Sequence, residues 1–110
     1  MSAGERIGTF SEFWPYYLRE HRRPGTRLLH LVGTTLSLLL VVAAVLAGRP
    51  ALLVGALVAG YGFAWVGHFA VEHNRPATFR YPLWSLAADW KMWAFALAGR
   101  LQPELRRAGV

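Results

Sequence analysis

The chain has 110 residues, of which 55% are hydrophobic, with 11 glycines besides, where an average soluble sequence has roughly 45 to 50% for the two classes together. A domain this short buries only about 60 to 70% of its unfolded surface in water, so the composition excludes a soluble monomer. The 12 Lys and Arg outnumber the 6 Asp and Glu, yet they flank apolar runs instead of lining polar helix faces, which excludes a nucleic-acid surface. There is no cysteine, so disulfides, thiolate metal sites and a Cys nucleophile are excluded too, and chemistry falls to histidine and carboxylate.

Phe10, Phe13, Trp14, Tyr17 and Leu18 recur at helical spacing while Ser11, Glu12, Arg19 and Glu20 fall elsewhere. This predicts an amphipathic helix over residues 9–23, opened by Thr9 and Glu12 as a capping box and ended by Pro24 and Gly25. Its aromatic face suits a headgroup region, with docking onto a neighbouring hairpin as the alternative. Residues 28–48 and 51–73 are apolar enough to form two spans, since the uncharged runs 28–48 and 51–71, 21 residues each, reach about 32 Å as helices against a hydrocarbon core of about 30 Å. The first begins late, after five arginines, and is read as retained rather than cleaved. Gly48, Arg49 and Pro50 break the chain between them, so the spans form an antiparallel hairpin. Gly55 with Ala59, and Gly60 with Ala64, sit at the i, i+4 spacing that lets helices approach closely in lipid.

Asn74, Arg75 and Pro76 stop the second span, and a third apolar segment covers 81–101 with Asp89 and Lys91 near its middle. Two spans would place 11 basic residues on one side against Arg49 on the other, whereas a third span would give 7 against 4 with Lys91 inside it. Charge bias therefore predicts two spans, both termini cytoplasmic and a partly embedded third helix. The expected fold is a single all-α integral membrane domain of a bacterial inner membrane or the endoplasmic reticulum. Two spans bury little surface in lipid, so a homodimer is expected.

The four histidines are His21, His30, His68 and His73. Counted from the turn at Arg49 and Pro50, His30 and His68 lie about 29 and 28 Å along their helices and so reach the same depth at the cytoplasmic edge. His68 and Glu72 share a helix face, and Pro24 and Gly25 let the chain turn so that His21 comes over the same place. Three imidazoles and a carboxylate suit a non-haem Fe(II) site, and zinc accepts the same ligands. His73 lies off that face and fits the helix-end dipole, while Glu72 has Arg75 and Arg27 as alternative partners. Two other readings stay open: a haem-binding electron carrier with His30 and His68 as axial ligands, and a non-catalytic adaptor or lipid-binding protein. No hydrolytic triad forms around Ser37 or Ser85, and there is no glycine-rich phosphate loop.

Residues 13–34, FWPYYLREHRRPGTRLLHLVGT, and residues 65–90, WVGHFAVEHNRPATFRYPLWSLAADW, resemble the Mpo-type 2-hydroxy-fatty-acid dioxygenase family of small membrane proteins. The specific pieces are His21 and His30 nine apart with Pro24 between, and the pattern Gly67, His68, Glu72, Pro76, Ala77. The resemblance implies a lipid-metabolic oxidoreductase that uses Fe(II) and dioxygen to shorten a 2-hydroxy fatty acid by one carbon, in fatty-acid alpha-oxidation. By motif position it implies His21, His30 and His68 as iron ligands and Glu72 as a ligand or catalytic base; His73, where relatives are expected to carry another basic residue, and Asn74 are expected only to support the site from behind. Arg22, Arg23, Arg27 and Arg75 stand where a guanidinium can hold the substrate carboxylate.

Overall fold

The structure, a computed structural model, describes residues 6–110. The described residues form α1 (Phe10–Arg19), α2 (Pro24–Ala47), α3 (Leu52–Val66) continuing into a π-helical turn (Gly67–Glu72), a 3-10 turn (Ala77–Phe79), α4 (Pro82–Leu97) and α5 (Leu101–Ala108). No strand occurs among them. Two compact units result, one from His21 to Pro76 and the other from the flanking N- and C-terminal segments.

The hairpin unit starts where the sequence allows a helix to start. Pro24 occupies the first helical position, where its missing N–H costs nothing, so α2 begins four residues before the apolar run and takes in Thr26. Gly48, at φ 63°, closes α2 in the left-handed conformation that glycine adopts without strain. Among the glycines of the hairpin the tightest approach is at Gly33, where an added Cβ would lie 2.7 Å from the Phe63 Cβ and 2.9 Å from the Ala59 carbonyl oxygen. Gly55 and Gly60, the small residues expected to allow this approach, face only ordinary contacts at 3.6 Å with Leu40 and Ser37. The required glycine is on the other helix.

Pro24–Ala47 and Leu52–Glu72 are both long and apolar enough to cross a membrane. Little of either is buried inside the protein, since Val45, Leu46, Val54, Leu57 and Val58 all point outward. A helix apolar on all sides needs an apolar environment on all sides.

The second unit explains the aromatic face of α1. Thr9 caps the helix by accepting from the Glu12 N–H at 3.2 Å. Phe13, Tyr17 and Leu18 are fully buried and form one core with the buried Tyr81, Ala88 and Met92 of the α4 region and Leu101 and Leu105 of α5. The face expected in the headgroup region is thus spent on helix packing. Each of the large apolar side chains among them contributes about 1.5 to 3 kcal/mol on burial.

The charges inside the third apolar segment have local partners. The Tyr17 hydroxyl donates to Asp89, and burial, followed by the Asp89 charge, pushes the Tyr17 phenol well above its usual pKa of 10. The Lys91 ammonium lies over Trp14 at 4.5 Å and over Phe10 and Phe95 at 5.4 and 5.6 Å, a cation–π arrangement. With 16 residues, α4 is shorter than the roughly 20 needed to span. The segment expected as one helix over 81–101 breaks after Leu97, where Gly99 adopts φ 72°, and α5 follows.

Candidate metal centre

Three segments of the hairpin unit each deliver one histidine. α1 stops at Arg19 and Pro24 starts α2, so His21 sits in the short link between them. The Arg27 guanidinium fastens that link by donating to the His21 and Arg22 carbonyls, both at 2.8 Å. His30 stands on the second turn of α2, and His68 is the second residue of the π-helical turn. All three are buried, at 0, 5 and 2% exposure.

Their ligand nitrogens lie within 4.8 Å of one another. His21 Nε2 and His30 Nε2 are 3.0 Å apart, and His30 Nε2 and His68 Nε2 are 3.3 Å apart. The rings stand nearly perpendicular in every pair, at 81, 75 and 90°. Two nitrogens each about 2.1 Å from a common ion are separated by about 3.0 Å at a right angle and about 3.4 Å at the tetrahedral angle. The observed separations fall on that range, and neutral imidazoles suit iron and zinc alike, so the donor set fits a divalent transition metal. Haem does not fit. Axial ligands on opposite sides of one iron would be about 4 Å apart, more than the 3.3 Å between His30 and His68, and His21 intrudes on the same space.

The tautomer of His68 follows from its neighbour. His68 Nδ1 is 2.7 Å from Asn74 Oδ1. An amide oxygen only accepts, so Nδ1 carries the proton and Nε2 is left with its lone pair toward the other histidines. The π-helical turn builds this contact. The His68 carbonyl accepts from the N–H groups of His73 and Asn74, closures one and two residues wider than an α-helix makes. His73 turns the chain at φ 61°, a left-handed conformation uncommon for a non-glycine residue, and thereby returns Asn74 to His68.

Glu72 makes a different contact from that expected of a ligand. Its carboxylate accepts from the backbone N–H of Arg23, the N-cap of α2, where a negative charge meets the positive end of the helix dipole. It is not among the residues whose ligand atoms converge, and His73 is exposed beyond it. Glu72 therefore ties the π-helical turn to the start of α2, joining the two segments that carry His68 and His30. Arg22, Arg23 and Arg75 are exposed, whereas Arg27 is spent on the link.

One participant carried little signal in the sequence. Thr26, one turn before His30, is fully buried, and Gly67, just before His68, accommodates it: a Cβ at Gly67 would lie 3.1 Å from the Thr26 methyl. An i, i−4 search from each histidine would have found Thr26. An apolar groove of about 560 Å³ also runs along α2 and α3, bordered by Leu29, Leu40, Gly55, Ala59, Gly62 and Val66.

Neither the curated proteins nor the solved structures yielded a match. The family model described as 2-hydroxy-palmitic acid dioxygenase Mpo1-like matches residues 7–101, a range that includes all three clustered histidines, and the chain belongs to the Mpo1-like family.

Proposed function

We propose that this protein is a membrane-embedded, non-haem Fe(II) dioxygenase that oxidatively shortens 2-hydroxy fatty acids by one carbon. The observation that carries the reading is the convergence of the buried His21, His30 and His68 at 3.0 and 3.3 Å in a chain of a dioxygenase-like family. A bound ferrous ion supplies the one-electron chemistry that lets dioxygen react with a hydroxy acid, and the open coordination positions a substrate needs. Oxidising a 2-hydroxy acid to the shorter acid and carbon dioxide releases four electrons, the number one dioxygen accepts on full reduction. No further reductant is required.

The chain's own residues hold and orient. His21, His30 and His68 present three ring nitrogens, Asn74 fixes the tautomer of His68, and Arg27 fixes the link that carries His21. Glu72 acts as a positioning residue through the α2 N-terminus. The exposed guanidinium groups of Arg22, Arg23 and Arg75 offer the carboxylate its counter-charge at the membrane surface. The acyl tail lies in the apolar groove, which begins beside His30 at Leu29 and extends over α3 from Val66 to Gly55, about 16 Å at helical rise. Both termini are cytoplasmic, and a second copy covers part of the outward apolar surface.

The test is dioxygen uptake by detergent-purified, iron-loaded protein given a 2-hydroxy fatty acid. Consumption of one dioxygen per shortened acid, abolished in His68→Ala, is the expected result. Substrate binding without dioxygen consumption would defeat the proposal. Zinc retained in place of iron would keep the site and move its chemistry to hydrolysis or structure.

A further inference from the structure

Thr26 contains the one buried side-chain polar atom among the described residues that lacks a hydrogen-bond partner, its Oγ1. A buried, unsatisfied hydroxyl opposes folding, and a chain retains one chiefly where something outside the chain satisfies it. The usual internal remedy is missing here. A helical threonine bonds back to the carbonyl three or four residues earlier. Those carbonyls belong to Arg23, which accepts from the Thr26 and Arg27 N–H groups, and to Arg22, which accepts from the Arg27 guanidinium.

Position supplies the second half of the argument. Thr26 and His30 are i, i+4 on α2, and helical side chains lean toward the N-terminus, so His30 leans over the turn that holds Thr26. Across the hairpin, Thr26 meets Gly67 through its methyl, Cα and carbonyl oxygen, at 3.1, 3.4 and 3.5 Å from where a Cβ would stand. The hydroxyl is not among these contacts. Thr26 is thus wedged between the segments carrying His30 and His68, packed through its apolar branch, with its polar branch unspent.

We infer that Thr26 is a substrate-binding residue whose hydroxyl hydrogen-bonds the 2-hydroxy-carboxylate head of the ligand entering the trihistidine site. This rests on the reading of that site as a metal centre. The hydroxyl both donates and accepts, so it matches either the carboxylate or the hydroxyl of such a head group. An aliphatic acid without the 2-hydroxyl cannot use both the metal and Thr26 in the same way, which makes Thr26 part of the selection for 2-hydroxy acids.

The experiment uses Co(II) as a redox-inert, coloured probe in the full-length detergent-solubilised protein, with 2-hydroxyoctanoate and octanoate as ligands. Wild type, Thr26→Val and Thr26→Ser are compared for Co(II) stoichiometry and affinity, for the change in visible absorption on adding acid, and for thermal unfolding of the metal-free protein. Thr26→Val keeps the shape and removes the orphan hydroxyl. It should bind Co(II) within about twofold of wild type and unfold at the same or a higher temperature, yet bind 2-hydroxyoctanoate about tenfold or more weakly, the loss of one charge-assisted hydrogen bond. Thr26→Ser should restore most of that affinity, and octanoate, which lacks the 2-hydroxyl, should lose less than 2-hydroxyoctanoate does in Thr26→Val. Wild-type affinity for 2-hydroxyoctanoate in Thr26→Val would overturn the assignment while leaving the metal centre intact. Loss of Co(II) or of thermal stability in Thr26→Val would also overturn it, by making the hydroxyl a structural group. Failure of wild type itself to bind Co(II) would instead refute the metal centre and, with it, this assignment.

Discussion

Gly33→Ala probes the contact that sets the spacing of the histidine-bearing helices. The new Cβ would stand 2.7 Å from the Phe63 Cβ and 2.9 Å from the Ala59 carbonyl oxygen, where ordinary contacts are about 3.5 to 4.0 Å. Neither atom is the end of a flexible side chain, so relief requires the helices to part by about 1 Å. Overpacking of this kind costs about 3 kcal/mol at the upper end of its usual range, offset by about 1 kcal/mol of helix propensity gained on replacing glycine. The net loss is about 2 kcal/mol, or roughly 30-fold in the unfolding equilibrium. Gly33 is one turn from His30 on the same face, so a shift of that size also spoils the 3.3 Å approach of His30 to His68, since ligand distances tolerate only about 0.2 Å. The control is Gly62→Ala, where an added Cβ meets nothing within 4 Å and stability should stay level or rise by up to about 1 kcal/mol. Denaturant titration in detergent, with Co(II) binding measured alongside, reads both effects. Equal stability and equal metal affinity in the two variants would refute the claim that the Gly33 contact holds the site together.

Four further outcomes follow from the same geometry. Asn74→Ala should weaken metal binding about 10- to 100-fold by releasing the His68 tautomer, measured by competition with a chelator, while Asn74→Asp, which keeps an acceptor, should lose less. His73→Gly should leave metal binding unchanged and stability equal or higher, because it removes a side chain from φ 61°, whereas His73→Val should cost about 1 to 3 kcal/mol in denaturant titration. Phe13→Ala should destabilise by about 3 to 5 kcal/mol, seen as a fall in melting temperature, since the ring is fully buried. The Tyr17 phenol has a raised pKa, so below pH 10 it is protonated both folded and unfolded and adds no pH dependence. Above pH 10 the unfolded chain releases that proton first and stability should fall by about 1.4 kcal/mol per pH unit, until Tyr17 ionises in the folded state; the tyrosinate absorbance of Tyr17 should therefore appear only with alkaline unfolding.

What the sequence revealed about the site followed from counting. Equal helical rise from Arg49 and Pro50 puts His30 and His68 at one depth, and Pro24 with Gly25 turns His21 back toward them. Glu72 was harder, because sharing a face with His68 does not reveal that the α2 N-terminus, 49 residues earlier in sequence, competes for its carboxylate. The Asn74 contact depends on a π-helical closure that an α-helical periodicity has no means of expressing. The aromatic face of α1 announced burial, yet an amphipathic pattern carries no address for its partner, and Tyr17 met Asp89 instead of a headgroup. Gly33 looked like any glycine of a membrane helix until the backbone of α3 was placed against it.

The most direct test of the account is the metal content per chain of anaerobically purified protein, beside His21→Ala, His30→Ala and His68→Ala variants of unchanged helicity. The account predicts near-stoichiometric iron in the wild type and its loss in all three variants. Protein that holds no metal after reconstitution with ferrous iron, or that keeps it in any one of the three variants, would contradict it.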